Sequence, residues 1–72
     1  MTFKELRINA GLTQATVGKK MNVDQSCISR WESGTWPPMR KLHKKLAKLY
    51  GVTEAEIKAL ADEIKAANRE DA

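Results

Sequence analysis

The chain has few of the residues that build disulfides, metal sites or catalytic centres. Among its 72 residues there is one cysteine, Cys27, and one histidine, His43. One cysteine cannot form an intrachain disulfide, and one histidine leaves no metal-ligand cluster of the usual spacing. His43 has no recognisable nucleophile partner, and so short a chain cannot enclose a substrate between two lobes. We therefore expect a small domain that is not an enzyme, needs no cofactor or metal, and is stabilised by packing.

Long apolar runs are also missing. No stretch reaches the roughly 18 apolar residues that a membrane-spanning helix needs. The N-terminal residues do not show a basic segment followed by an apolar one, which is the pattern of a secretory signal. These two absences predict a cytoplasmic protein that does not enter a membrane.

Charge is distributed unevenly along the chain. Residues 1–50 contain ten Lys or Arg and three Asp or Glu, whereas residues 51–72 contain three and six. A basic region beside an acidic one is typical of proteins that bind a polyanion such as nucleic acid. The same charges also fit an ordinary solvated surface, so charge alone does not assign a function.

Capping signals divide the chain into helices. Two threonines are each followed three residues later by a glutamate, which forms the capping boxes Thr2–Glu5 and Thr53–Glu56. Thr13 is an N-cap residue for a second helix. The third helix has Asp24 as its N-cap, and a fourth begins at Pro38. The first four helices are predicted to end at residues that tolerate positive φ, namely Gly11, Asn22, Gly34 and Gly51. No strand pattern is present, so the sequence predicts an all-α fold with five helices.

The fourth helix carries an apolar stripe amid basic residues. The stripe predicts the inward-facing residues Met39, Leu42, Leu46, Leu49 and Tyr50. His43 falls beside it with no visible partner. Trp36, which precedes two prolines, fits either the core or the sugar-phosphate edge of a nucleic acid, and we expect the core.

The second and third helices are joined too tightly to lie flat against each other, so they must cross steeply. Gly18 lies one turn before the connection, where a side chain would collide with the crossing helix. This pattern predicts a helix-turn-helix over about residues 13–33, within a single domain spanning residues 1–68. Residues 69–72 are predicted to be a disordered tail.

The third helix has two unlike faces. Cys27, Ile28 and Trp31 share one side at helical spacing and are predicted to belong to the core. The other side carries short polar groups and an arginine, although serine is a mediocre helix former. Such a face suits close approach to a partner, and its residues are Gln25, Ser26, Ser29, Arg30 and Ser33.

The segment LTQATVGKKMNVDQSCISRWESG, residues 12–34, resembles the Cro and repressor family of helix-turn-helix proteins, also called XRE-like. The resemblance rests on Thr13-Gln14, the small residue at 18, the apolar positions and the ending Trp31-Glu32-Ser33-Gly34. Gln25-Ser26 is similar to the start of the recognition helix in the lambda phage repressor. The resemblance implies a compact lambda-repressor-like domain, and it covers about residues 2–60.

In that family the third helix enters the major groove of double-stranded DNA. The resemblance therefore implies base contacts from Gln25, Ser26, Ser29 and Arg30. Contacts to phosphates are implied for Gln14, Ser33, Thr35 and Arg40. For Arg30, a phosphate contact or simple solvation is the alternative to a base contact. Arg7 and Glu32 correspond to a structural ion pair that ties the first helix to the end of the third.

These observations predict a sequence-specific transcriptional regulator, a repressor or Cro-like protein of a bacterium or phage. The fifth helix is longer than so small a core needs, so we expect a homodimer on a palindromic operator, formed through Ile64 and Ala67 of that helix. The alternative is a protein-interaction module on the same fold, either an antitoxin or a transcriptional adaptor.

Overall fold

The computed structural model of the protein describes the backbone of residues 1–70 and the side chains as far as residue 68. This part of the chain has no strand, which confirms the all-α fold. Five α-helices and one short 3-10 turn follow in the order α1 (Phe3–Asn9), α2 (Gln14–Met21), α3 (Gln25–Ser33), the turn (Arg40–Leu42), α4 (His43–Tyr50) and α5 (Glu54–Glu70). The tail predicted at residues 69–72 lies outside the described side chains, and its last two residues lie outside the described backbone.

The predicted caps begin the helices. Glu5 donates its backbone amide to the Thr2 hydroxyl, and its carboxylate accepts from the Thr2 amide, which completes the capping box of α1. Thr13 and Asp24 cap α2 and α3 through their side-chain oxygens. Each cap satisfies an amide that a helix start would otherwise leave without a partner, so local sequence fixes where these helices begin.

The close approach of α2 and α3 explains the glycine inside α2. A Cβ at Gly18 would lie 3.0 Å from the carbonyl oxygen of Val23 and 3.4 Å from the amide nitrogen of Gln25. Asn22 ends α2 in the left-handed region with φ 59°, and the Val23 amide then donates to the Gly18 carbonyl at 2.9 Å. The turn therefore fixes the direction in which α3 leaves α2.

The core lies where all five helices meet. In the part of the chain described, α2 packs mainly on α3 and α4 mainly on α5, while α1 contacts both α3 and α4. The side chains that are almost completely buried are Val17, Ile28, Leu46 and Ile57. They come from four different helices, so each of these helices depends on the others for its position.

The start of α4 differs from the prediction. Met39 is extended, residues 40–42 form the 3-10 turn, and α4 begins at His43 rather than at Pro38. Pro38 is buried before the turn. Its carbonyl oxygen, which can only accept, lies 3.2 Å from Nε2 of the buried His43 ring. The loop carbonyl gives the imidazole a hydrogen-bond partner, so His43 takes a core position and not the predicted place beside the stripe. Met39, which was predicted to face inward, is 60% exposed.

One other predicted position is wrong, and one stays untested. Trp36 is 60% exposed, whereas Trp31 on α3 is 5% exposed, so only Trp31 belongs to the core. Ile64 is also part of the core and is 9% exposed, and its predicted contact with a partner subunit stays a prediction. Ala67, the other residue proposed for that contact, is exposed.

Candidate nucleic-acid interface

The outer face of α3 is polar and open to solvent. Gln25, Ser26, Ser29 and Arg30 are all exposed, while Ile28 beneath them is fully buried. The four exposed side chains are therefore brought onto one surface, as the sequence predicted. Their side chains are short or carry paired hydrogen-bonding groups, so the helix backbone can approach a groove closely.

A chain of hydrogen bonds connects this face to the interior. Arg7 Nε donates to Glu32 Oε2 at 2.6 Å, and Arg7 Nη2 donates to Glu32 Oε1 at 3.2 Å. Gln14 Nε2 donates to the same Oε1 at 3.1 Å, and Gln14 Oε1 accepts from Gln25 Nε2 at 3.4 Å. We call Arg7, Glu32, Gln14 and Gln25 the polar chain. It joins α1, α2 and both ends of α3.

The polar chain fixes which way two amides point. A carboxylate can only accept, so Glu32 holds the NH₂ end of Gln14 and turns the Gln14 carbonyl oxygen toward Gln25. Gln25 must then present its own NH₂ group to Gln14, which leaves Oε1 and one N–H of Gln25 for another partner. A free acceptor beside a free donor matches N6 and N7 of adenine.

The Arg7–Glu32 pair is shielded from solvent. The two side chains are 13% and 6% exposed, and Arg7 also donates to the Leu12 carbonyl at 2.9 Å. The hydrogen bond to Glu32 is the main reason that the pKa of Arg7 is raised above its ordinary value. A bidentate pair with a third bond fixes the angle between α1 and α3 more firmly than an exposed ion pair would.

Ser26 is engaged by the cap of its own helix. Its hydroxyl and its backbone amide both donate to Oδ2 of Asp24. These two bonds, the hydroxyl first, lower the pKa of Asp24. The Ser26 oxygen therefore keeps only its acceptor lone pairs for a base, whereas Ser29 has no side-chain hydrogen bond within the described structure.

Hydroxyl groups also gather where α3 ends. Ser33 Oγ donates to the Arg30 carbonyl at 3.2 Å and lies 2.8 Å from Thr35 Oγ1. Asn68, near the end of α5, donates to the Thr35 carbonyl at 2.9 Å. The two hydroxyls predicted to contact phosphate are therefore adjacent, and α5 holds the loop that carries them. Sequence reasoning missed Asn68, because nothing in the pattern links residues 33 positions apart.

Arg40 shares no hydrogen bond with these groups among the described residues. It is exposed at the first residue of the 3-10 turn. The pKa of Asp62 on α5 is lowered chiefly by a hydrogen bond from Lys58, and the charge of Arg40 is among the smaller causes. Arg40 is therefore within electrostatic range of α5, and its contact with phosphate stays a prediction.

The described residues contain neither a grouping of side chains fit to hold a metal ion nor a helix with the length and apolar character for crossing a membrane. No curated protein matches the chain, and no solved structure matches it. The family model of the helix-turn-helix domain matches residues 1–60. That match includes α2, α3 and the tight turn between them. The chain therefore belongs to the helix-turn-helix domain family, a family of DNA-binding modules.

Proposed function

We propose that the protein is a sequence-specific transcriptional regulator of the Cro and repressor type, XRE-like, which reads the major groove with α3. The polar chain carries this proposal, because it holds Gln25 with a free acceptor and a free donor on an exposed helix face. A structural helix has no need of such an arrangement. Arg30, one turn further along α3, adds the fork that matches O6 and N7 of guanine.

Phosphate contacts position the domain on the duplex. Gln14 is the first residue of α2, where free amides and the positive end of the helix dipole favour an anion. Ser33 and Thr35 lie at the other end of the interface, with Arg40 beyond them. These contacts carry no sequence information but fix the register of α3 in the groove.

In our proposal two copies bind a palindromic operator, because one domain of this size reads only a few base pairs. The protein acts as a repressor or Cro-like regulator in the cytoplasm of a bacterium or a phage-infected host. In our proposal it is not an enzyme, since its one histidine, His43, is buried with Nε2 at the Pro38 carbonyl, away from any exposed hydroxyl that it could activate.

A second candidate function is a protein-interaction module, such as an antitoxin or a transcriptional adaptor. The exposed side chains of Trp36 and Met39 favour it, because large apolar groups on a surface often mark a protein contact. The outer face of α3 favours DNA, since it presents glutamine, serine and arginine where a protein-binding helix would present apolar anchors.

Selection from random duplex DNA at fixed ionic strength tests the proposal. We expect a consensus with two inverted half-sites, bound in the range of about 10⁻⁸ M or tighter. Binding should weaken steeply as salt rises, because phosphate contacts release counterions. If no sequence is enriched over the starting pool, the proposed reading of DNA is wrong and the result supports the protein-interaction function.

A further inference from the structure

A groove between α2 and α4 is bordered by lysines. It has a volume of about 300 Å³, and the residues that line it are Lys20, Met21, Lys45, Lys48 and Leu49. We call it the lysine groove. Met21 is buried and Leu49 is half-buried, so they form its floor, whereas the three lysines are exposed at its rim. The groove thus combines an apolar floor with a positively charged rim.

The positive charge of the lysine groove is not balanced by its own helices. Neither α2 nor α4 contains an acidic residue, and the sequence has none from residue 33 to residue 53. The ion pairs in the described part of the chain are Arg7–Glu32 and Lys58–Asp62, so the three ammonium groups have no carboxylate partner there. Like charges around an apolar floor repel one another, and an anionic partner would relieve that repulsion.

The lysine groove lies on the side of α2 that faces away from α3. Gly18 is the residue of α2 whose missing Cβ makes room for the start of α3. Lys20 follows two residues later, which places it roughly 200° further round the helix. A duplex that lies along the outer face of α3 is therefore on the far side of α2 from Lys20. The lysine groove is separate from the surface proposed to read DNA.

We propose that the lysine groove binds an acidic segment of another protein. The segment places an apolar side chain on the floor formed by Met21 and Leu49, and its carboxylates lie beside the three lysines. Charge complementarity selects this partner, because an acidic peptide carries anionic and apolar side chains next to each other. The proposal goes beyond the reading of DNA and uses none of the residues of that face.

Other anionic partners fit the lysine groove less well. The phosphates of a nucleic acid would leave the apolar floor uncovered, and none of the described lining residues is an aromatic ring on which a base could stack. Proteins that bind an anionic membrane surface insert an exposed apolar face into it. In the lysine groove the apolar side chains lie below the lysines, where a peptide side chain can reach them and a flat membrane surface cannot.

The contact is expected to be weak and sensitive to salt. A groove formed by so few side chains is far smaller than the roughly 800 Å² per partner of a stable interface. The lysines are exposed, so dissolved ions screen their charges. We expect a Kd of about 10⁻⁵ M at low ionic strength, and binding that is largely lost at about 0.5 M salt.

Selection from a random peptide library on the full chain at low ionic strength supplies the probe. We expect the enriched peptides to share clustered Asp or Glu residues beside a Leu, Ile, Met or Phe. A synthetic peptide of the enriched sequence is then titrated against the protein by calorimetry. Replacing its apolar residue by serine, or its acidic residues by their amides, should weaken binding by about 10-fold or more in each case.

Matched charge reversals locate the binding site. Lys45→Glu with Lys48→Glu reverses two charges at the rim, and Lys41→Glu with Lys44→Glu makes the same change at exposed residues that do not line the groove. We expect the rim variant to lose about 30-fold in peptide affinity and the control variant less than about 3-fold. All four lysines are exposed, so both variants should fold, which thermal melts verify.

NMR spectroscopy maps the same complex on the wild-type protein. On addition of the peptide, the backbone amide signals of residues 19–21 and 45–49 should shift, and those of the outer face of α3 should not. This measurement separates the lysine groove from a general attraction between a basic protein and an acidic peptide.

Three results would overturn the proposal. The first is a selection that enriches no peptide, or only peptides without acidic residues. The second is an equal loss of affinity in the rim and control variants, or peptide-induced shifts centred on α3, because the peptide would then recognise net charge or imitate DNA. The third is a shift of the α4 signals by duplex DNA or phosphatidylserine vesicles but not by peptides, which would make the groove a phosphate site. Failure of the DNA selection would leave the proposal standing, since peptide binding is measured without DNA.

Discussion

The start of α3 and the loop that follows α3 are held in different ways. The start of α3 is tied through Gln25 and Gln14 to a shielded ion pair between α1 and α3. The loop after α3 is held by backbone bonds to Arg30 and by one exposed bond from Asn68. The end proposed to meet bases is thus fixed by side chains from three helices, whereas the loop proposed to meet phosphates is held by backbone bonds and one exposed side-chain bond. Direct readout needs the tighter geometry, since bidentate contacts to bases are directional and phosphate contacts are not.

Breaking the polar chain should have the largest effect. Glu32→Ala leaves Arg7 and Gln14 without their shared acceptor, and removing one partner of a shielded pair costs about 3 kcal/mol. Chemical denaturation with urea measures this as a lower midpoint at unchanged slope. A midpoint within error of the wild type would show that the ion pair contributes nothing to the fold.

A double variant separates folding from DNA reading. Arg7→Met with Glu32→Leu replaces the pair by apolar groups of similar size, which often restores the lost stability. We expect the domain to refold but to discriminate less well at the base read by Gln25, because Gln14 no longer has a fixed orientation. Full discrimination in this variant would mean that the polar chain does not position Gln25.

The contrast between base and phosphate contacts can be tested with two arginines. Arg30→Ala should cost about 1 to 3 kcal/mol on the best operator and relax one base position. Arg40→Ala should weaken binding to all duplexes alike. It should also reduce the slope of the logarithm of affinity against the logarithm of salt concentration. Titrations on the operator and on single-base variants measure both effects. If Arg30→Ala weakened binding to all duplexes equally, Arg30 would contact a phosphate and not a base.

Tyr50 is a buried residue that lies within electrostatic range of Arg7 and Glu32 of the polar chain. Its hydroxyl is buried and has no hydrogen-bond partner within the described residues, and burial is the main reason that its pKa rises from 10.0 to about 12. Tyr50→Phe removes this unsatisfied group, so we expect stability to rise by about 1 kcal/mol. A fall of similar size would reveal a partner for the hydroxyl.

The same residue predicts an alkaline dependence. The pKa of Tyr50 is higher in the folded protein than in the unfolded chain, so its contribution to stability is complete below pH 10.0 and is lost as pH rises toward about 12. Tyr50→Phe should therefore flatten the loss of stability in that interval. Thermal melts of both proteins at several alkaline pH values measure the difference.

The smallest effect is expected at the end of α5. Asn68→Ala removes the bond to the Thr35 carbonyl, which is exposed and worth at most about 0.5 kcal/mol in stability. Its effect on DNA binding should be a modest loss of affinity that is equal for all sequences, since the loop is proposed to contact phosphates. A change in base preference would show that the contact from α5 also affects the position of α3.

Local signals in the sequence predicted most of the fold. The caps at Thr2, Thr13 and Asp24 and the left-handed residue Asn22 act within one turn of the chain, so neighbouring residues are enough to place them. The steric need for Gly18 followed from the short turn alone. The outer face of α3 was predicted for the same reason, because helical spacing separates it from the buried Ile28.

The errors came from residues whose environment depends on distant or unusual partners. An apolar pattern does not predict that a histidine is buried. His43 is buried nonetheless, because the Pro38 carbonyl gives its ring a hydrogen-bond partner. The pattern also places tryptophan in the core, yet Trp36 is 60% exposed in the loop between α3 and the 3-10 turn.

The division of α3 into a buried and an exposed face has a consequence for how the protein can change its target. The side chains of Ser29 and Arg30 make no hydrogen bond within the described fold. If α3 reads bases as proposed, new residues at these two positions would alter base preference at little cost in folding. Gln25 is different, because it is the last link of a hydrogen-bonded series that begins at Arg7. Retargeting this protein to new operators should therefore proceed through positions 29 and 30 first, with position 25 the last to be exchanged.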